Sequence, residues 1–238
     1  MILDLDIGNS RVKWRGWDAG EAISRGHCSR SGADWPASLP QRELELVRVA
    51  NVGGAAAAEQ LDDWARVHWG LAPRYAQPVA ALAGVVNGYR EPARLGVDRW
   101  LGLLASWREL GAGALVVSAG TALTIDVLED TGQHGGGYIV PGLRLMRDAL
   151  TTGTSGVRPD EGMATTLAPG RNTTEAVLRG CTAMAAALIE KLRPAASVPV
   201  VLSGGDAASL VPWLSAPLFE RPELVLDGLA IALPSGRP

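Results

Sequence analysis

The sequence predicts an α/β protein of mixed sheets and helices whose architecture is duplicated. Two strand–turn–strand units support this prediction, at residues 5–10 and 117–122, because each places a small polar residue directly after a glycine. A third glycine turn, at residues 203–206, closes a later strand. Ligand-facing turns from both halves would meet at one cleft. No low-complexity linker separates the halves, so we expect two tightly joined lobes, residues 1–111 and 112–238.

Composition and charge restrict the class of partner. The chain has 238 residues, enough for a substantial core, and 22 basic against 25 acidic residues, a formal charge of −3. Nucleic-acid binders usually carry a basic excess, so neither nucleic acid nor an anionic membrane is expected as a partner. The two cysteines form no metal-binding pair and fit a reducing compartment. No signal peptide or membrane span is predicted, and we expect a cytoplasmic protein.

The first strand–turn–strand unit has the chemistry of a phosphate site. Gly8 lets the backbone approach an anion closely, and Asn9 and Ser10 supply donors in the turn. Lys13 supplies a positive charge, and Asp6 at the end of the strand can hold a metal ion or its waters. The same residues also fit an ordinary β-hairpin, because Asn and Gly are common in such turns.

Hydrophobic periodicity, glycines and prolines predict the remaining elements in order. Strands are predicted at residues 2–7, in the segment that carries Lys13, and at 21–29, 44–50, 114–117, 123–128, 138–140, 199–202 and 224–226, with a short extended piece at 73–79. Helices are predicted at residues 56–68, 98–110, 141–150, 172–192, 206–213 and from about 227 to 233. Loops or turns are predicted at residues 31–41, 87–96, 134–137 and 151–171, the last as a mobile surface loop.

Several motifs, in this order, resemble those of type III pantothenate kinases in the acetate/sugar kinase–Hsp70–actin superfamily. The matching segments are Asp6-Ile7-Gly8-Asn9-Ser10 with Lys13; Tyr89, Pro92 and Gly96-Val97-Asp98-Arg99-Trp100; Gly120-Thr121-Ala122 with Thr124 and Asp126; Gly136-Gly137-Tyr138-Ile139-Val140-Pro141-Gly142; Asn172-Thr173; and Ser203-Gly204-Gly205-Asp206. Each motif alone is weakly specific, but their joint order along nearly the whole chain is specific.

The resemblance implies a two-lobed ribonuclease H-like fold of the actin-like ATPase type, and a homodimer. It also implies ATP, a divalent metal such as Mg²⁺ and often a monovalent cation, K⁺ or NH₄⁺. The family usually has an aspartate, where it commonly binds potassium, at the position that Ser118 occupies here. A neutral hydroxyl is a poorer ligand for a hard cation, so we expect no tight potassium site.

The resemblance implies roles for residues on the nucleotide side. The implied ATP-binding residues are Asp6, Ile7, Gly8, Asn9, Ser10, Arg11, Val12, Lys13 and Thr121. Asp6 would orient the metal on the ATP phosphates. Asp126 is expected to be structural or to act through a neighbour.

Asp98 is the candidate general base on the pantothenate side, because phosphorylation of an alcohol needs a carboxylate near the hydroxyl. The implied substrate contacts are Tyr89, Gly96, Val97, Asp98, Arg99 and Thr173. Arg99 would clamp the pantothenate carboxylate. Without the resemblance, Asp98 reads as a helix N-cap, Arg99 as a surface arginine, Tyr89 as a loop aromatic and Thr173 as a helix cap.

Three functions compete at this point. The main hypothesis is an ATP-dependent pantothenate kinase that makes 4′-phosphopantothenate in the first step of coenzyme A synthesis. The second is a catalytically weak relative that acts as a regulatory accessory factor, to which Ser118 points. The third keeps the fold but changes the substrate, as in a sugar kinase or a polyphosphate phosphatase, and the block from Gly96 to Arg99 argues against it.

Overall fold

The computed structural model describes residues 1–30 and 35–236, which form two compact units. The first unit comprises Met1–Glu109 and the segment from Glu223 onward, and the second comprises Leu110–Pro222. The predicted division assigned all of residues 112–238 to the second lobe, so the return of the chain to the first unit after Pro222 differs from that expectation. Part of the loop predicted at residues 31–41 lies outside the described residues.

The described chain contains groups of consecutive strands separated by helices. The strands are β1 (Ile2–Ile7), β2 (Arg11–Asp18), β3 (Glu21–Ser29), β4 (Leu46–Asn51), β5 (Arg74–Tyr75), β6 (Ala81–Leu82), β7 (Val85–Val86), β8 (Ala114–Ala119), β9 (Ala122–Leu128), β10 (His134–Pro141), β11 (Val200–Ser203) and β12 (Leu218–Glu220). The helices are α1 (Ala55–His68), α2 (Val97–Leu110), α3 (Leu143–Gly153), α4 (Thr173–Leu192), α5 (Ala207–Leu210) and α6 (Leu224–Ala232). Short 3-10 helices lie at Trp35–Ser38, Pro92–Arg94 and Val211–Trp213.

Each unit contains one five-stranded mixed sheet, and the two sheets have the same strand order. The order is β3-β2-β1-β4-β5 in the first unit and β10-β9-β8-β11-β12 in the second. In the first unit, β1, β2 and β3 pair antiparallel, whereas β4 pairs in parallel with both β1 and β5. In the second unit, β8, β9 and β10 likewise pair antiparallel, and β11 pairs in parallel with both β8 and β12. This repetition confirms the predicted mixed α/β fold with two ribonuclease H-like halves.

The alternation of β1 separates a core face from an acidic face. Leu3, Leu5 and Ile7 are fully buried in a core that includes Ala57 and Leu61 of α1. Since neighbouring residues of a strand point to opposite faces, the aspartates between them lie on the other face of the sheet. The second unit has a corresponding core of strand residues from β8, β9 and β11 packed against α3 and α4.

A buried ion network attaches α6 to the acidic face of the first sheet. Asp4 is fully buried and accepts hydrogen bonds from Arg48 at 2.6 and 3.0 Å and from Trp17 at 2.7 Å. Arg15 on β2 donates to Asp227 of α6 at 2.7 Å. Burial raises the pKa of Asp4, although its bonds to the arginine and the tryptophan act in the opposite direction. These bonds explain why the end of the described chain belongs to the first unit.

The strand predicted at residues 224–226 is wrong, because these residues begin α6. Leu224, Leu226 and Leu229 are buried, and a short apolar run does not distinguish a strand from a buried helix. The strand that completes the second sheet is β12, which the sequence pattern did not reveal.

Two further boundaries differ around the glycine-rich segments. The turn predicted at residues 134–137 is part of β10, whose pairing with β9 shifts register between His134 and Gly137. Pro141 pairs with Ala122 as the last residue of β10, so the helix predicted from Pro141 begins at Leu143. The helix predicted at residues 206–213 is the short α5 followed by a 3-10 turn.

Among the described residues, no helix combines the length and apolar character needed to span a membrane.

Candidate active site

The turn between β1 and β2 leaves its tip open. The Gly8 amide donates to the Arg11 carbonyl at 3.0 Å, and a Cβ at Gly8 would lie 3.1 Å from that oxygen. Asn9 and Ser10 at the tip are exposed. Glycine therefore permits a tight turn whose polar tip a phosphate group can approach closely.

Asp6 and Lys13 lie opposite each other in the antiparallel register of β1 and β2, so their side chains share one face. Asp6 is half-buried, and burial raises its pKa to about 6. The positive charge of Lys13 lowers this pKa, whereas the negative charge of Asp98 raises it. Two carboxylates and one ammonium group of the first unit therefore interact electrostatically.

Asp98 lies in the first turn of α2, which begins at Val97. The N-cap alternative for Asp98 is wrong, because the residue is inside the helix. The helix dipole favours its charged form at this position. A Cβ built on Gly96 would lie 2.7 Å from Oδ1 of Asp98, so the glycine leaves the space that this carboxylate occupies.

Arg99 is buried, with 6% of its surface exposed, and the alternative of a surface arginine is therefore wrong. Its Nη1 donates to the hydroxyl of Tyr89 at 2.6 Å, and its guanidinium lies 5.4 Å from the centre of the Tyr89 ring. A buried guanidinium needs polar partners, and its planar fork suits a carboxylate. Arg99 and Tyr89 are thus held together, and Arg99 directly follows Asp98 in the first turn of α2.

Asn87 organises the loop that carries Tyr89, a role that sequence reasoning missed. It is buried, and its side chain donates to the carbonyls of Val79 at 3.2 Å and Pro92 at 3.1 Å. Its Oδ1 accepts the Tyr89 amide at 3.0 Å. In a sequence, an asparagine followed by glycine predicts an exposed turn, and nothing in the pattern indicates that this asparagine is buried.

In the second unit, the turn between β8 and β9 is packed against two glycines. The Gly142 amide donates to the Thr121 carbonyl at 2.9 Å, and a Cβ on Gly142 would collide with the Gly120 carbonyl. Gly204, with a positive φ of 100°, approaches the Ala119 backbone equally closely. Two of the glycine turns predicted from the sequence, at Gly120 and Gly204, therefore meet at one end of this sheet together with Gly142, and Thr121 is exposed there.

Ser118 lies in a row of hydroxyl side chains. It is opposite Thr124 on β9 and Ser203 on β11 in the register of the sheet. This row carries no carboxylate at the position where the family usually has aspartate. The residues present therefore do not fit a tight potassium site, because a hard cation prefers carboxylate and carbonyl oxygens.

Thr173 is the first residue of α4 and is exposed, and the N-cap is Asn172. The Asn172 side chain accepts the Glu175 amide at 2.9 Å. The helix-cap alternative for Thr173 is therefore wrong, and its hydroxyl lies at an exposed helix start.

Asp126 and His134 form a buried pair that joins β9 to β10. The carboxylate Oδ1 lies 2.9 Å from Nε2 of the histidine, and both residues are about 1% exposed. Asp126 therefore has a buried partner on the neighbouring strand.

The first unit brings together Asp6, Lys13 and Asp98, and it also holds Tyr89 on Arg99. Thr121, Ser118 and Thr173 lie in the second unit. Within residues 1–30 and 35–236, no group of three or more histidine, cysteine or acidic side chains has the geometry of a metal site. Mg²⁺ bound with ATP needs only one or two carboxylates in addition to phosphate oxygens, so Asp6 fits that metal.

Comparison with known proteins assigns a family to this arrangement. The family model for type III pantothenate kinase matches residues 2–194. A type III pantothenate kinase from Chromohalobacter salexigens is 40% identical and aligns over 98% of this chain and 88% of its own. One from Azoarcus sp. strain BH72 is also 40% identical, over 97% of this chain and 90% of its own.

Solved structures share the fold at lower identity. A Baf family protein from Campylobacter jejuni, described as a transcriptional activator, has a TM-score of 0.67 at 20% identity and covers 95% of this chain and 94% of its own. A 2-dehydro-3-deoxygalactonokinase-like protein from Sinorhizobium meliloti has a TM-score of 0.63 at 15% identity, with coverage of 100% and 99%. At these identities the likeness concerns the fold alone.

Proposed function

Because the chain belongs to the type III pantothenate kinase family, we propose that it transfers the γ-phosphoryl group of ATP to the hydroxyl of pantothenate. The products are 4′-phosphopantothenate and ADP, and the reaction is the first step of coenzyme A biosynthesis. The family match over residues 2–194 carries this proposal, and the sheet register that sets Asp6 opposite Lys13 next to the turn of Gly8 supports it.

The turn after β1 binds the phosphates of ATP. The Gly8 amide closes the turn on the Arg11 carbonyl, so the backbone amides of Asn9 and Ser10 at the tip donate to phosphate oxygens. Lys13 neutralises part of the phosphate charge. The remaining predicted nucleotide residues are Ile7, Arg11, Val12 and Thr121. Asp6 orients Mg²⁺, which, when bound, neutralises charge on the transferring phosphoryl group.

Asp98 acts as the general base toward the pantothenate hydroxyl. Its carboxylate takes the proton as the oxygen attacks the γ-phosphorus and the bond from that phosphorus to ADP breaks. Arg99 binds the pantothenate carboxylate with its planar fork, and Tyr89 fixes the orientation of that fork. The backbone at Gly96 and Val97 and the hydroxyl of Thr173 complete the proposed contacts.

The regulatory alternative gains no support from these residues. A binding protein without catalysis has no chemical need for Asp6, Asp98 and Arg99 together. The relatives at 40% identity carry the kinase name, whereas the transcriptional activator resembles this chain only in fold. The sugar-kinase alternative rests on fold likeness alone.

We also propose a cytoplasmic homodimer without a tight monovalent-cation site. Ser118 supports the absence of that site. Exposed apolar side chains on β10 and α4 support a dimer, namely Tyr138, Ile139 and Met184, of which 50%, 61% and 62% of the surface is exposed. Light scattering of the wild type and of Ile139→Lys tests the dimer, which the lysine should weaken.

The kinase proposal is tested by ADP release from MgATP with and without pantothenate, using the wild type and Asp98→Asn. We expect pantothenate-dependent turnover in the wild type, and a kcat about 10²–10⁴-fold lower in Asp98→Asn, because removal of a general base has that magnitude. Asp63→Asn, an exposed aspartate of α1 that pairs with Arg66, is the matched control and should retain full activity.

Runs in sodium, potassium and ammonium buffers separate the cation proposal from the kinase proposal. Similar rates in all three are expected if Ser118 leaves no tight site. A folded wild type that releases no pantothenate-dependent ADP in any buffer would contradict the kinase function.

A further inference from the structure

Arg30 connects two turns of the first unit through its guanidinium group. Nε and Nη2 donate to the carbonyl of Asn9 at 3.1 and 3.0 Å, and Nη1 donates to the carbonyl of Gly53 at 3.1 Å. Asn9 is at the tip of the turn after β1, and Gly53 is in the turn after β4. One side chain therefore spans both turns.

Both turns lie at the same edge of the sheet. β1 and β4 pair in parallel, with Ile7 opposite Asn51, so their carboxyl ends are neighbours. Ligands of α/β sheets bind at the carboxyl ends of parallel strands. Backbone bonds reinforce the junction, because the Val52 amide donates to the Ile7 carbonyl and the Arg30 amide donates to the Ser10 carbonyl, each at 3.0 Å.

The turn after β4 is shaped to receive the guanidinium. The Gly53 amide donates to Oδ1 of Asn51 at 2.8 Å, which closes this turn. A Cβ on Gly53 would lie 3.1 Å from Cζ and Nη1 of Arg30, and the same distance from Cγ2 of Ile7. Glycine at this position lets the guanidinium approach the backbone closely.

We propose that Arg30 is a positioning residue for ATP, which holds the turn of Gly8, Asn9 and Ser10 in the geometry that binds the phosphates. This inference rests on the proposed kinase function. A turn of this kind must keep its amides convergent, and the flanking strands restrain only its two ends. Arginine suits the task because its rigid, always charged fork reaches two carbonyls at once, which a lysine ammonium on a flexible stem does not.

The test compares Arg30→Met and Arg30→Lys with the wild type. Arg66→Met, on the exposed side of α1, also removes one positive charge and is the control. The KM values for ATP and for pantothenate, the kcat and the melting temperature are measured for each. Binding of MgATP is measured separately by calorimetry.

We expect the KM and the Kd for MgATP to rise about tenfold or more in Arg30→Met, the effect of losing one charge-assisted hydrogen bond. The KM for pantothenate should stay within about twofold, because Tyr89 and Arg99 do not contact Arg30. Arg30→Lys should lose more than half as much binding free energy for MgATP as Arg30→Met loses. Arg66→Met should bind MgATP as the wild type does.

A merely structural role gives a different pattern. It would lower the melting temperature and the active fraction, and hence the apparent kcat, and leave the KM for ATP unchanged. That result, or an equal rise of both KM values, would overturn the inference. If the wild type lacks pantothenate-dependent turnover, the kinase proposal fails, whereas MgATP calorimetry still decides the role of Arg30.

Discussion

The raised pKa of Asp6 predicts a pH dependence of nucleotide binding. A carboxyl group with a pKa of about 6 is about 90% ionised at pH 7 but only about 10% ionised at pH 5. An ordinary aspartate would remain about 90% ionised at pH 5. If the ionised form of Asp6 orients the metal, the Kd for MgATP should rise about tenfold between pH 7 and pH 5.

Calorimetric titrations with MgATP from pH 5 to pH 8 measure this change. The nucleotide itself takes up protons in this range and changes the affinity of both proteins. The affinity of the wild type is therefore divided at each pH by that of Asp6→Asn, which leaves the contribution of Asp6. Binding of a cation favours the carboxylate, so a proton should be released near pH 5.5, and titrations in buffers of different ionisation enthalpy detect that proton. Asp98→Asn removes a negative charge that raises the pKa of Asp6, so it should move the midpoint to lower pH.

The same pKa makes a prediction about stability. Because the pKa of Asp6 is higher in the folded chain than its ordinary value, stability is greatest below that ordinary value and is lost as the pH rises through about 6. Asp6→Asn should therefore raise the free energy of unfolding at pH 7, by at most about 3 kcal/mol for a shift of about two units and by less because Asp6 is half-buried. An affinity ratio that stays constant from pH 5 to pH 7, or a midpoint that Asp98→Asn leaves unshifted, would refute this reasoning.

Other substitutions test separate features of the two units. Gly96→Ala should displace the Asp98 carboxylate and lower kcat about tenfold to hundredfold, since reacting groups tolerate little displacement, while circular dichroism shows an unchanged melting temperature. Arg48→Met leaves the buried Asp4 without its bidentate partner and should lower the free energy of unfolding in urea by about 3–5 kcal/mol. Ser118→Asp should make turnover faster in potassium than in sodium, and equal rates in both would contradict the account of that position.

Local patterns determined much of the fold. The strands at Ile2–Ile7 and Glu21–Ser29 have the predicted bounds. Alternation and the following turn residues define the first, and the turns that flank it define the second. The start of α4 follows from the Asn172 cap. The candidate site residues, from Asp6 to Arg99, were also predicted from the sequence, because they belong to short motifs whose order is specific to one family.

The tertiary structure decided which of these side chains interact. The electrostatic contact of Asp6 with Asp98 joins a strand and a helix far apart in sequence, and the bond between Arg99 and Tyr89 depends on a loop organised by the buried Asn87. Arg30 has no motif of its own, and its role follows only from the carbonyls that it reaches. Long-range contacts of this kind leave no periodic signal in a single sequence.

The segment after Glu223 shows most clearly what the sequence determines and what the tertiary structure decides. The apolar residues after Glu223 determine that the segment is buried, but their number is too small to distinguish strand from helix. The choice is made by the acidic face of the first sheet, where Arg15 binds Asp227 and the Arg48–Asp4 pair is covered by α6. Sequence alone thus determines that these apolar residues avoid water, whereas the partners available in the folded chain determine where they go and which polar side chains, such as Asn87 and Arg99, are buried with them.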